Sequence, residues 1–189
     1  MDLRTEKTKR SIINAFLELR AKKPLEKITV KELSEKAEIN KATFYLHYHD
    51  IYELSESLER DVVDSCLHSI QHPEAVFSST RTFIAELSEA FVANERLIKI
   101  LFEGSRSSSF VKLLEDGLNG IISRAYPDHK QSMEDRMMLT YLIYGGYYTY
   151  FKYCDNGIKS VLDIIGRLTD GVLQYKDDEQ ETEDTSGTS

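Results

Sequence analysis

The stretch AEINKATFYLHYHDIYEL, residues 37–54, carries the clearest signals in the chain. Ala37 closes a short amphipathic helix that opens at Thr29. There Thr29-Val30-Lys31-Glu32 has the form of a capping box, in which hydroxyl and carboxylate reciprocally satisfy free backbone N–H groups. Val30, Leu33 and Ala37 give this helix one buried face. Glu38-Ile39-Asn40 then turns the chain, and Asn40 suits the N-cap of a third short helix, Lys41 to Tyr48. His49 and Asp50 break that helix. Asp50-Ile51-Tyr52-Glu53 is a second acidic capping signature, opening a longer helix to about Ile70. Two short helices on either side of a three-residue turn form a helix-turn-helix module.

Outward from this stretch the helical period persists. A first helix is expected from Thr5 to Ala21, with Ile12, Ile13, Phe16 and Leu17 as its apolar stripe and Lys7, Lys9 and Arg10 crowding its first half. Downstream, Phe83, Leu87 and Phe91 recur every four residues. Leu97, Ile98, Leu101 and Phe102 make a short apolar turn before a Gly/Ser-rich break at 104–109. Phe110, Leu113, Leu114, Leu118, Ile121 and Ile122 form the next stripe. A helix from about Ser132 to Tyr153 follows, closed by Asp155-Asn156-Gly157, and a last helix starts at Ile158. Residues 176–189 hold six acids and one lysine without a large apolar residue, the composition of a disordered tail.

Length and composition narrow the classes. A chain of 189 residues allows one or two domains and a sizeable core, and 30% charged residues suit a soluble globular protein. No apolar run reaches the ~20 residues of a membrane span, and the basic start lacks a signal-peptide core. Cys66 and Cys154 stand far apart with no CxxC, so a reduced, cytoplasmic protein without disulfide scaffold or zinc ribbon is expected. P-loop, GxSxG, HExxH and calcium-loop motifs are all missing, so no enzymatic activity, cofactor or metal is expected. His47 and His49, two apart, do not share a helical face as a metal pair would.

Charge separates the head from the body. Residues 1–50 hold 11 basic and 8 acidic side chains, whereas 51–189 hold 13 and 24. A basic head on an acidic body suits contact with a polyanion through the head. In the short helix, Phe44 and Tyr48 point inward, which carries Lys41, Ala42 and Thr43 forward to where base edges of double-stranded DNA would lie. Lys41 suits guanine O6/N7, and Thr43 suits a base, a phosphate or a thymine methyl. Ala42 is small enough for close approach. Tyr45 has a hydroxyl for a phosphate oxygen, while Thr29 and Asn40 stand at helix N-termini, which favour anions. His47, His49, Lys31 and Lys9 form a second line of contacts. Thr29 and Asp50 would also serve as plain caps whatever the function.

These residues resemble the DNA-binding domain of the tetracycline-repressor family. Ile28-Thr29-Val30 opening a helix, and the run Thr43-Phe44-Tyr45-Leu46-His47-Tyr48, match the family's pattern of Thr-aliphatic-Tyr-x-His/Tyr-aromatic over about residues 5–55. The resemblance implies an all-α protein: a three-helix helix-turn-helix domain (1–50), a helical effector-binding and dimerisation domain (51–175) and the acidic tail. It implies a homodimeric transcriptional regulator, a repressor whose operator affinity an effector changes. The alternative is an interaction module with a protein effector, for which DNA is secondary. Two positions depart from the family pattern. Its turn glycine is Glu38 here, and its lysine at the start of the fourth helix, a phosphate contact, is Ile51.

In the body, Met137 to Phe151 is apolar on nearly every face, and seven aromatics fall between Tyr141 and Tyr153. Such a helix needs cover on all sides, which a second copy of the chain would supply. Gly145, Tyr147, Val161, Ile165, Leu168 and Val172 are the expected dimer contacts, in line with the family's use of its last two long helices. Phe83, Leu87, Tyr141, Tyr144 and Tyr148 are the expected walls of an effector pocket, since tyrosine suits a mixed apolar and polar cavity.

Overall fold

The computed structural model describes residues 3–73, 75, 80–102, 104–127 and 132–186, and among these the regular structure is entirely helical. The elements are α1 (Leu3–Arg20), a 3-10 turn (Leu25–Lys27), α2 (Val30–Lys36), α3 (Lys41–Tyr45) and α4 (Ile51–His68). They continue with α5 (Thr80–Phe102), a 3-10 turn (Gly104–Arg106), α6 (Ser107–Ala125), α7 (Met133–Tyr153), a 3-10 turn (Cys154–Asn156) and α8 (Ile158–Ser186). The all-α expectation therefore holds. None of the described helices is long and apolar enough to cross a membrane.

Two compact units divide the chain: Met1–Asp64 with Asn94–Phe110, and Ser65–Ala93 with Val111–Ser189. The first is larger than the head expected at 1–50, because the first part of α4 and the α5–α6 junction fold with it. Its core forms where the α1 stripe Ile12, Ala15, Phe16 and Leu19 meets Leu25, Leu33 and Phe44, all buried. Helix α2 packs against both α1 and α3. Lys7, Lys9 and Arg10 stay exposed in the first half of α1.

The same unit buries charge. Glu59 on α4 is only 1% exposed. Its carboxylate accepts from Arg106 Nε (3.0 Å) and Nη2 (2.6 Å), and Oε1 also accepts from the Ser55 hydroxyl (2.7 Å). The Glu59 carboxylate beside it raises the affinity of the Arg106 guanidinium for its proton. Arg20, also buried, directs Nη1 to the Lys23 carbonyl and Nη2 to the Leu101 carbonyl, each at 3.5 Å. The latter places a cation at the C-terminal end of α5, where the helix dipole favours it. Phe102 and Phe110 meet edge to face, with centroids 4.7 Å apart.

In the second unit, α7 packs along α8. Ser132 and Asp135 start α7 as a reciprocal capping box: the Asp135 N–H donates to Ser132 Oγ (3.0 Å) and the Ser132 N–H to Asp135 Oδ2 (2.8 Å). Gly157, at φ +108°, makes the turn into α8 that a residue with a Cβ would resist. Helices α4 and α6 approach closely where Gly117 faces Leu67, since a Cβ at 117 would lie 2.1 Å from Leu67 Cδ1. Glu86 on α5 accepts from the backbone N–H groups of Gln71 (2.9 Å) and His72 (3.1 Å) and lies 2.6 Å from His72 Nδ1. It thereby holds the chain just past α4.

Three boundaries differ from the sequence reading. Helix α3 ends at Tyr45 rather than Tyr48, because Phe44 O is shared between the N–H groups of His47 and Tyr48 and the last turn tightens. Residues 80–102 form one helix, where a separate apolar turn at 97–102 is expected from the pattern. The backbone is helical to Ser186, through the segment whose composition argues for a disordered tail. Extending an established helix costs far less than starting one, and Lys, Gln and Glu are good helix formers.

Two predictions follow from these buried and capping charges. Arg106→Met leaves the buried Glu59 carboxylate without its cation and lowers stability by about 3–5 kcal/mol in urea unfolding, whereas Glu59→Leu costs less, because Arg106 is partly exposed and keeps Glu56 at 3.8 Å. The double variant loses less than Arg106→Met, because no orphaned buried charge remains. Glu86 presents a different case: its hydrogen bonds with His72 hold its carboxyl below the ordinary range. The unfolded chain therefore takes up this proton first, and the stabilisation is complete above the ordinary carboxylate pKa and lost as the pH falls through the lowered value. Urea midpoints of the wild type and Glu86→Gln differ at neutral pH and converge as the pH falls below the ordinary carboxylate range.

Candidate nucleic-acid interface

The α2–turn–α3 segment is built from local hydrogen bonds. Thr29 caps α2, its hydroxyl accepting from the Glu32 N–H (3.2 Å). Only this half of the expected capping box forms, because the Glu32 carboxylate pairs with Lys23 Nζ instead. Asn40 caps α3: its Oδ1 accepts from the Thr43 N–H (2.7 Å) and from the Thr43 hydroxyl (3.0 Å). With Oδ1 occupied, the exposed Asn40 side chain keeps its amide N–H groups as donors. Asp50 caps α4 through the Glu53 N–H (2.8 Å), and the Glu53 carboxylate accepts in return from the His49 N–H.

Between α2 and α3, Glu38 has φ +56°, the only non-glycine residue with positive φ among those described. The left-handed conformation that the turn requires is thus held by a side chain with a Cβ, at a cost of about 1 kcal/mol.

Two residues seat α3. Phe44 is fully buried and Tyr48 nearly so, as their four-residue spacing predicts. Their rings lie 5.9 Å apart. The Tyr48 hydroxyl is buried without a hydrogen-bond partner. Its pKa is pushed up to about 12, first by burial and then by the charges of Asp61 and Glu53. Ile51, where the family pattern has its lysine, is buried in the core, so the side chain at that position cannot reach a phosphate.

With that face buried, the rest of the segment is open. Asn40, Lys41, Ala42, His49 and Thr29 are exposed, and Thr43 and His47 are half-buried. Tyr45 is 56% exposed, its ring edge-on to Phe44 at 5.5 Å. The eight residues named from the sequence therefore fall on one short segment and its two flanking turns. Lys9 is exposed, and Lys31 is exposed with its amine 3.9 Å from Glu35. Leu46, 83% exposed, belongs to the same outer surface and was missed. The signal was available, because a residue two positions from both Phe44 and Tyr48 lies on the far side of the helix.

The body residues fall out differently. Tyr147 and Val161, expected between copies, are buried within the second unit. Tyr141, Tyr144 and Tyr148, expected on a pocket wall, stand on the surface instead, Tyr141 at 68% exposure. A helix apolar on every face does not declare its inner side, and here Ile143, Tyr147 and Tyr150 take it. Gly145 shares the outer face, with no atom within 4 Å of a Cβ placed there. On α8, Leu168 is 62% exposed, while Ile165 and Val172 are half-buried. Phe83 is buried and Leu87 half-buried, and neither lines the cleft of about 170 Å³ formed by Ile84, Ser88, Leu162 and Gly166 with Asp163 and Arg167. The chain matches no protein-family model, and no curated protein sequence is recognisably similar to it.

Relaxing the turn tests the strain at Glu38. Glu38→Gly raises the urea midpoint, adding up to about 1 kcal/mol of stability, whereas Glu38→Ala leaves the φ penalty in place and gains nothing.

Proposed function

We propose that the chain is a homodimeric, sequence-specific DNA-binding regulator of transcription of the tetracycline-repressor type. It represses until an effector bound by residues 51–175 changes its affinity for the operator. The observation that carries this reading is the placement of α3. Its inward residues Phe44 and Tyr48 fix its orientation, and Lys41, Ala42, Tyr45 and the Asn40 amide are left outward, as major-groove reading requires.

Two further features support it. The net positive charge is confined to the first 50 residues. Apolar stripes on the outer faces of α7 (Met137, Tyr141, Tyr144, Tyr148) and α8 (Ile164, Leu168) offer the kind of surface a second copy covers. Lys41 and the Asn40 amide serve as donors to base edges, and Tyr45, Thr29 and His49 reach the phosphates. An effector needs only ~1–3 kcal/mol of differential binding between two states to shift operator affinity five- to 150-fold. The acidic body and the same apolar stripes favour, as the second reading, a module whose effector is another protein.

Selection from a random duplex library at near-physiological salt tests the proposal. An inverted repeat is expected, its half-sites about 34–36 Å apart or a multiple of that, with affinity falling as salt rises. On the selected duplex, Lys41→Ala loses affinity and also relaxes preference at one base pair, worth about 1–3 kcal/mol. Tyr45→Phe weakens selected and random duplexes alike. Equal losses on both duplexes for both variants would refute this division of roles, and no enrichment by an intact dimer would favour the protein-effector reading.

A further inference from the structure

Leu46 is the most exposed large apolar residue of the α2–turn–α3 segment, at 83%. It caps α3 with helical dihedrals, φ −75° and ψ −17°. At about 100° per residue, Ala42 and Leu46 lie roughly 160° and 200° around the helix from the buried Phe44. The two therefore form a row along the side of α3 directly opposite its core contacts, and both are exposed. Neither side chain can donate or accept a hydrogen bond. The hydroxyl of Thr43, beside Ala42 in sequence, is already donating to Asn40 Oδ1. The centre of the outward face is thus apolar, with Lys41 and Tyr45 forming the row beside it.

A base edge in the major groove offers one apolar feature, the 5-methyl group of thymine. We infer that Ala42 and Leu46 read thymine methyls, and that Leu46 is a specificity-determining residue selecting thymine at one position of each half-site. This rests on the DNA-binding reading above and deepens it by naming the sequence class. Side chains four apart on a helix have Cβ atoms about 5–6 Å apart, and bases on one strand rise about 3.4 Å per step, so the two thymines lie one or two steps from each other. Cytosine at the Leu46 position lacks the methyl and sets its amino group against an isobutyl chain that cannot accept its hydrogen bond, so it is rejected on both counts.

Single-atom-group changes in the DNA test this without disturbing the protein. In the duplex selected by the wild type, each thymine is replaced in turn by uracil, which removes only the methyl group. Affinities are then measured for the wild type and Leu46→Ala. Two positions per half-site, one or two steps apart, are each expected to cost the wild type about fourfold when the methyl is removed, the effect of losing one buried methyl group, and one of the two is the Leu46 position. Leu46→Ala binds the thymine and uracil duplexes at that position equally. Cytosine there binds worse than uracil, and 5-methylcytosine recovers part of the loss. Because Leu46 is so exposed, its replacement leaves the urea midpoint unchanged, so a change in binding is not a folding defect. Selective duplex binding with no uracil effect in the wild type, or with the same effect in Leu46→Ala, overturns the inference and leaves the DNA reading standing. Failure to select any duplex overturns both.

Discussion

A five-residue helix has no stability of its own. Starting a helix fixes several dihedrals for each early hydrogen bond, and segments far longer than α3 are marginal in water. Helix α3 therefore exists because the core of the first unit accepts Phe44 and Tyr48, and because Asn40 and Asp50 cap the helices on either side of the connecting turn. Burying an aromatic side chain contributes roughly 1.5–3 kcal/mol, comparable with the backbone ordering cost of one or two residues. Of the outward residues, Tyr45 adds to this balance through its ring, edge-on to Phe44. Lys41, Ala42 and Leu46 carry none of the packing, which leaves them free, under the proposed reading, to be chosen for what they touch.

The same unit solves a second problem with charge. Its core recruits residues distant in sequence, Asn94–Phe110, and the contacts that join them to the rest of the unit include buried polar ones. Arg106 reaches Glu59, and Arg20 reaches the Leu101 carbonyl near the end of α5. Such pairs add little net stability compared with apolar packing of equal volume, but they accept only one register, since a shifted helix would strand a buried charge. Apolar residues such as Phe102 and Phe110 tolerate small displacements more readily. Fixing the start of α4 fixes the end of the α3 connection too, because Ile51 and Leu54 at its first turn are buried beside that turn in the sequence.

Period and capping chemistry made the helices legible. Asn40, Asp50 and the Phe44/Tyr48 pair stand in the roles that their types and spacing assign, and the strain at Glu38 follows from a turn that glycine would fit better. What could not be read was pairing at a distance. Nothing local tells Glu59 from the exposed acids around it, and Arg106 sits in a Gly/Ser-rich break that looks like solvent-facing loop. Glu32 was assigned to its own helix cap, but Lys23 lies close enough to take it. Helix α7 failed for the opposite reason. An excess of apolar residues on every face erased the amphipathic signal, so inner and outer tyrosines could not be separated. Leu46 carries no expectation in the sequence reading, although its phase, two positions from Phe44 and from Tyr48, sets it on the far side of the helix.

The shortage of cations at the tip of α3 and the surplus of apolar surface on α7 and α8 bear on each other under the proposed reading. A single head whose outermost row is Ala42 and Leu46, and whose phosphate contacts lack the lysine replaced by Ile51, would be drawn to duplex DNA by the modest net positive charge of residues 1–50, which does not distinguish one site from another. Its selectivity would rest on methyl contacts worth about a factor of four each, too little to find one site by itself. Joining two heads makes the second binding event intramolecular and can raise overall affinity by about 10²–10⁴ with no new contact to DNA. It also squares the selectivity of each half-site. The tyrosine and aliphatic stripes that would leave a monomer with exposed apolar surface then serve the recognition step directly. Under the proposed reading, a head whose base contacts are individually weak calls for a body that pairs, and the exposed apolar faces of α7 and α8 would serve that pairing.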